Sequence, residues 1–199
     1  MSDPTTLRAL AGLPLEPAPL SDSALILIDC QNTYTYGVME LAGVQAALDE
    51  AAGLLDRARS AGIPVIHIQH DDGPGSLYDV SGHSGAIVDR VAPRDGEQVV
   101  VKNYPNSFVA TDLDAGLKAL NKQNLVIAGF MTHMCVNSTA RGAFNLGYSP
   151  TVVAAATATR ALPDVAHGEV SAENLQGASL AALSDLFAVV VADSAEIPA

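Results

Sequence analysis

Short apolar runs recur along the chain, each closed by a polar residue or a glycine, with amphipathic stretches between them. ALILI (24–28), VIHI (65–68), QVVV (98–101), LVIA (125–128), TVVAA (151–155) and FAVVV (187–191) predict six strands. Runs with so little polar alternation fit strands buried on both faces of a parallel sheet. The stretch 44–61 places Leu48, Ala51, Ala52, Leu55 and Ala58 on one helical face, with Gly62 ending the helix and Pro64 opening the next strand. A second helix is predicted over 111–120, with Thr111 as N-cap and Asp114 completing an imperfect capping box. A third follows Cys135, where Val136, Ala140, Ala143 and Phe144 share a face. A fourth covers 166–183, but Val170, Asn174 and Gly177 interrupt its pattern and blur its start.

Strands alternating with helices in this order predict an α/β domain, a three-layer α/β/α sandwich around a six-stranded parallel sheet. Residues 1–22 carry Pro4, Pro14, Pro17 and Pro19 and read as an N-terminal arm with one short helical turn near 6–11, lying on the surface or on a neighbouring subunit. Residues 23–199 read as one domain. The segment 71–97 is long and rich in Gly, Pro, Ser and Asp, with one short helical stretch near 85–91. It is expected to cover a substrate.

The chain has 199 residues, 49% of them hydrophobic, yet no apolar run reaches the length of a membrane span. Its start lacks the basic and apolar regions of a signal peptide, so the expectation is a soluble, cytoplasmic protein. A net charge of -12 disfavours nucleic acid and anionic membranes, and the absence of Trp disfavours a base-stacking surface. The expected partner is a small-molecule substrate. Neither Cys30 nor Cys135 belongs to a CxxC motif, no HExxH occurs, and no glycine-rich phosphate loop opens a helix. No cofactor and no metal site is expected.

Three polar residues stand at or just beyond the ends of apolar strands: Asp29, Lys102 and Cys135. In a parallel sheet such ends share one edge, where open α/β sheets bind ligands. Where the strands lie close enough, the three side chains converge with complementary chemistry. A thiol loses its proton before attacking carbon, and Asp29 is placed to take that proton and return it to a leaving amine. Lys102 stabilises the thiolate and holds Asp29 ionised. Cys135 sits where a strand hands over to a helix, whose N-terminal dipole favours a thiolate and whose free N–H groups suit an oxyanion. A buried structural thiol is the alternative reading for Cys135, and the favoured one for Cys30.

These segments resemble the isochorismatase-like cysteine hydrolases, which include nicotinamidases and N-carbamoylsarcosine amidohydrolase. The resemblance runs from Leu25 to about Ala192. ALILIDCQNTY resembles the family's Asp strand, although Thr33 and Tyr34 replace the Asp and Phe of its usual QNDF-like sequence. VVVKNYPNSFVATDL resembles the Lys strand, and LVIAGFMTHMCVNSTARGA the G-x-x-T-x-x-C-V nucleophile turn. The resemblance implies the Rossmann-like isochorismatase fold. It implies Cys135 as nucleophile, Asp29 as base and then acid, and Lys102 as their electrostatic partner. It also implies a cis peptide between Phe130 and Met131 that aims the Met131 and Cys135 N–H groups at an oxyanion, and a homo-oligomer.

The departures from the family pattern narrow the expectation. Nicotinamidases carry an Asp-x-His metal sequence where this chain reads HIQHDDGPG, so His67 and His70 have the wrong spacing for it. His70 is read as a substrate-binding hydrogen-bonder, and Tyr34 as an aromatic wall above Cys135. True isochorismatases cleave a vinyl ether without a cysteine. Cys135 therefore points to a small amide, ureide or carbamoyl substrate, handled through a thioester. A vinyl-ether hydrolase and an inactive oligomeric relic are the alternatives.

Overall fold

The computed structural model describes residues 5–166 and 168–199. A short helix, α1 (Leu7–Leu10), precedes β1 (Ser23–Ile28), α2 (Val44–Ser60), β2 (Val65–His70), β3 (Gln98–Lys102) and α3 (Leu113–Ala119). Next come β4 (Asn124–Phe130), α4 (Asn137–Asn145) and β5 (Ser149–Ala158). Then follow β6 (Leu162–Asp164), β7 (Gly168–Val170), α5 (Ala172–Ser184) and β8 (Val189–Val191). Six strands form one parallel sheet in the order β3-β2-β1-β4-β5-β8.

Alternate residues of the central strands feed two cores. Leu25, Leu27, Val126, Ala128 and Val153 face Leu48, Ala51 and Leu55 of α2. Ile26, Ile28, Ile66, Ile127 and Val152 face Leu113 and Leu117 of α3, Ala140 and Ala143 of α4 and Leu183 of α5. Each fully buried Leu or Ile contributes about 1.5–3 kcal/mol, so these strands have no face to offer water. Helix α2 ends in a Schellman motif. Gly62, at φ +65°, donates to Arg59 O, and Ile63 donates to Ala58 O.

The chain runs outward from β1 to β2 and β3, then crosses back to β4 on the other side of β1. The crevice at the C-terminal ends of β1 and β4 is thus the switch point of the sheet, the usual ligand position in open α/β folds. Asp29 follows β1 directly, and Cys135 lies five residues beyond β4.

Three elements differ from expectation. The helix predicted over 166–183 starts only at Ala172, where the Ser171 side chain accepts the Asn174 N–H. An antiparallel pair, β6 with β7, occupies the preceding stretch, with Gly168 at φ +84°. The helix predicted near 85–91 is reduced to a 3-10 turn, Asp89–Val91. The backbone before it is spent on pairing with the loop after β1: Asn32 N–H donates to Ala86 O, Thr33 N–H to Ser84 O, and Val88 N–H to Cys30 O. Thr111 does not cap α3. Its hydroxyl donates to Ser107 O at 2.6 Å and accepts the Leu113 N–H at 3.4 Å, while Asp112 holds the N-cap position.

From residue 5 on, the N-terminal arm packs on its own chain; Pro4 lies outside the described residues. Arg8, nearly buried, donates from its side chain to Pro14 O at 2.6 Å and Leu186 O at 3.0 Å. No helix among the described residues is long and apolar enough to cross a membrane.

Candidate active site

Asp29 leaves β1 in the left-handed region, φ +48°, and is fully buried. Asp tolerates this conformation better than most residues. Its N–H donates to Ile68 O at 3.0 Å and its carbonyl accepts the Gln31 N–H at 2.8 Å, so the backbone on both sides of the carboxylate is held. Lys102 ends β3, which is not a neighbour of β1, because β2 lies between them. The lysine stem spans that gap. Lys102 Nζ stands 2.7 Å from Asp29 Oδ2, with neither side chain exposed. The same Nζ donates to Cys135 Sγ at 3.4 Å. The structure therefore brings together the three residues singled out from the sequence, through the reach of the lysine and not through adjacent strands.

Cys135 lies in a π-helical turn, Thr132–Val136, one step before α4. The Phe130–Met131 peptide before this turn is cis. Met131 O accepts the N–H groups of Met134 and Val136, which anchors the turn to the end of β4. On its outer side, His133 Nδ1 and Thr159 Oγ1 are 2.6 Å apart. Gly129, at φ +115°, lets β4 press against β1: a Cβ there would lie 2.0 Å from Ile28 O.

Opposing influences act on the thiol. Burial first, and then the Asp29 carboxylate, push the Cys135 thiol up to about 12, with Lys102 acting in the opposite direction. Burial and Asp29 thus oppose the thiolate that the turn and Lys102 favour. Burial also raises the Asp29 carboxyl, opposed by Lys102, by Cys135 and by His70. Cys30 points away from this chemistry. Its Sγ lies 3.8 Å from Ile28 O, and burial raises it further.

The two neighbouring candidates, His70 and Tyr34, both lie beside this cluster. Both ring nitrogens of His70 face protein partners: Nδ1 is 3.0 Å from Lys102 Nζ and Nε2 is 3.2 Å from Asp72 Oδ1. The ring thus bridges Lys102 and Asp72. Tyr34 is buried, packed edge-on against Phe130 at 5.8 Å, and donates to the Tyr78 hydroxyl at 3.3 Å. It is not a surface aromatic.

Sequence reading missed Gln31, a fully buried amide. Its Nε2 donates to His70 O and Gly85 O at 2.9 and 2.7 Å, and its Oε1 accepts the His70 N–H at 2.9 Å. The polar pair Gln31-Asn32, one residue past Asp29, was the available signal. His67 is committed to Glu97 at 2.9 Å. Among the described residues no group of three or more His, Cys, Asp or Glu side chains is placed to hold a metal.

Residues 23–195 match the isochorismatase domain. The chain belongs to the isochorismatase family. It is 31% identical to the secreted isochorismatase effector Isc1 of Verticillium dahliae, over 94% of this chain and 96% of that protein. It is 34% identical to the ureidoacrylate amidohydrolase RutB of Stutzerimonas stutzeri, over 73% of this chain and 75% of that one. A crystal structure of an isochorismatase from Pseudomonas putida superposes with a TM-score of 0.91 at 38% identity, over 94% of this chain and 96% of that chain. As a member of the isochorismatase family, the protein is a hydrolase with the family's six-stranded parallel sheet.

Proposed function

We propose that the protein hydrolyses a carbon–nitrogen bond in a small amide, ureide or carbamoyl compound through a thioester on Cys135. The observation that carries this reading is the buried Lys102 ammonium set between Asp29 Oδ2 and Cys135 Sγ, at 2.7 and 3.4 Å. Relatives named as an ureidoacrylate amidohydrolase and a streptothricin hydrolase support it. A vinyl-ether cleavage would leave the thiol without a task.

As Sγ attacks the carbonyl carbon, its proton passes to the Asp29 carboxylate, and the carbonyl oxygen takes up the negative charge. The backbone N–H groups of Met131 and Cys135 receive that oxyanion, and Lys102 keeps the sulfur and carboxylate aligned while the charge moves. Collapse of the intermediate breaks the C–N bond, and Asp29 returns its proton to the departing nitrogen. Asp29 then takes a proton from water, whose oxygen attacks the thioester. Collapse releases the acid and restores the thiol. Tyr34 and its partner Tyr78 supply an aromatic wall suited to a small planar substrate.

A panel of small amides and ureides, followed by rapid acid quench and intact mass spectrometry, tests this reading. A mass increase equal to the acyl group, mapped to Cys135 and lost in Cys135→Ala, is the expected result. Turnover that survives Cys135→Ala rejects it.

A further inference from the structure

A lysine ammonium has three N–H donors and accepts nothing. The Lys102 side chain is wholly buried, so its donors depend on protein atoms. Three face it: Asp29 Oδ2 at 2.7 Å, His70 Nδ1 at 3.0 Å and Cys135 Sγ at 3.4 Å. Because lysine must be the donor in the second contact, His70 Nδ1 carries no hydrogen. The ring hydrogen then sits on Nε2, which faces Asp72 Oδ1 at 3.2 Å. One imidazole tautomer satisfies both contacts.

We propose that His70, held in its Nε2–H tautomer by Asp72, is the positioning residue that steers the Lys102 ammonium onto Asp29 and Cys135, and that protonation of His70 disarms the site. The activity half of this inference rests on the hydrolase reading above. The tautomer half does not.

The surroundings give His70 little freedom. Residues His70 and Lys102 are register partners across β2 and β3. Gln31 grips both the N–H and the carbonyl of His70, and the Tyr78 ring meets the imidazole edge-on at 4.8 Å. The charged and titratable groups around the ring are Lys102 from β3, Asp29 beyond β1, Asp72 from the following loop, and Tyr78 from the covering loop. Asp71, next in the chain, turns its carboxylate to the Gly73 N–H instead.

A proton on Nδ1 removes the acceptor for Lys102 and sets two cations side by side in a buried site. Either the ring or the ammonium must then withdraw. Withdrawal of the ammonium frees the Asp29 and Cys135 contacts on which proton transfer depends. The effect is therefore on kcat and not on substrate affinity. The expected direction is loss of activity on acidification.

The test uses the full chain and two variants. His70→Asn keeps an acceptor oxygen for Lys102 but cannot take up a proton, whereas His70→Ala has no acceptor. In the wild type, two-bond proton–nitrogen spectra of 15N-histidine-labelled protein at alkaline pH should show neutral His70 as the Nε2–H tautomer, and a neutral ring carrying Nδ1–H overturns the assignment. On a substrate found by the amide panel, His70→Ala should lose about 100-fold in kcat with KM within about threefold. His70→Asn should lose less than about tenfold, and its acid limb should move to lower pH. An unmoved limb in His70→Asn, or a raised KM with unchanged kcat in His70→Ala, overturns the positioning role. A wild type inert on every amide sinks the hydrolase reading instead, and the tautomer spectrum still decides the His70 assignment.

Discussion

Lys102 Nζ and Asp29 Oδ2 are 2.7 Å apart with both side chains fully removed from solvent. A buried pair repays its desolvation only while both partners are present, so removing one leaves an uncompensated charge. Lys102→Met should therefore cost about 3–5 kcal/mol in urea unfolding. The double variant Asp29→Asn with Lys102→Met should recover much of that loss, because no lone charge remains. Neither protein should turn over substrate. Equal destabilisation in the single and double variants would show that the pair is not what the surrounding packing depends on.

The same carboxylate restrains the nucleophile. Asp29 is among the causes that push the Cys135 thiol up to about 12, and Lys102 pulls the other way. Asp29→Asn removes the restraint and leaves the lysine. The pH profile of Cys135 alkylation by iodoacetamide should then move to lower pH, with a rate at pH 7 raised at least about tenfold, as a nearby buried charge is worth more than ~1.4 kcal/mol. Peptide mapping separates this label from Cys30. On the proposed mechanism turnover should vanish in the same variant, because the proposed base is gone. Slower labelling in Asp29→Asn would contradict the electrostatic assignment.

Much of this site was legible before any coordinates. Polar residues closing apolar runs marked Asp29 and Lys102, and the strand-to-helix handover marked Cys135, because buried parallel strands leave chemistry only at their ends. Two relationships had no local signal. Lys102 reaches Asp29 across an intervening strand, which follows from sheet order, and His70 meets Lys102 through a register that no single segment encodes. The hairpin of β6 and β7 escaped notice because three-residue strands bury too little to leave a periodic pattern. The 85–91 stretch was misread as helix because its backbone groups pair with a loop more than fifty residues earlier in the chain.

Gly129 permits the contact on which the crevice is built. Its φ of +115° is costly for any side chain, and a Cβ would meet Ile28 O at 2.0 Å. That oxygen belongs to the central strand, whose register pairs Ile28 with Gly129, so it has nowhere to go. Gly129→Ala should destabilise the fold by about 3 kcal/mol or more, a fall in Tm of roughly 10 °C for a chain of this size. Calorimetry checks it, and a variant melting with the wild type would mean that β1 and β4 can separate without loss.

At the other end of β3 a second polar cluster makes stability depend on acid. Glu97 accepts from Arg59 Nε at 2.7 Å and from the Arg94 N–H at 2.9 Å, and lies 2.9 Å from the buried His67 ring. The Arg59 hydrogen bond leads the causes that hold the Glu97 carboxyl down at about 2, from an ordinary 4.5. Burial likewise holds His67 below its usual value. In both cases the unfolded chain binds protons more readily than the folded one. Stability is therefore complete above the unfolded values and drains away as pH falls through the folded ones. For His67 the loss begins near pH 6.5, and for Glu97 it runs from about 4.5 down to about 2. At about 1.4 kcal/mol per pH unit, Glu97 alone contributes roughly 3 kcal/mol at neutrality. Glu97→Gln should lower unfolding free energy by that order at pH 7, and the gap to wild type should close as pH approaches 2. A gap that stays constant across this range would show that Glu97 acts through packing and not through its charge.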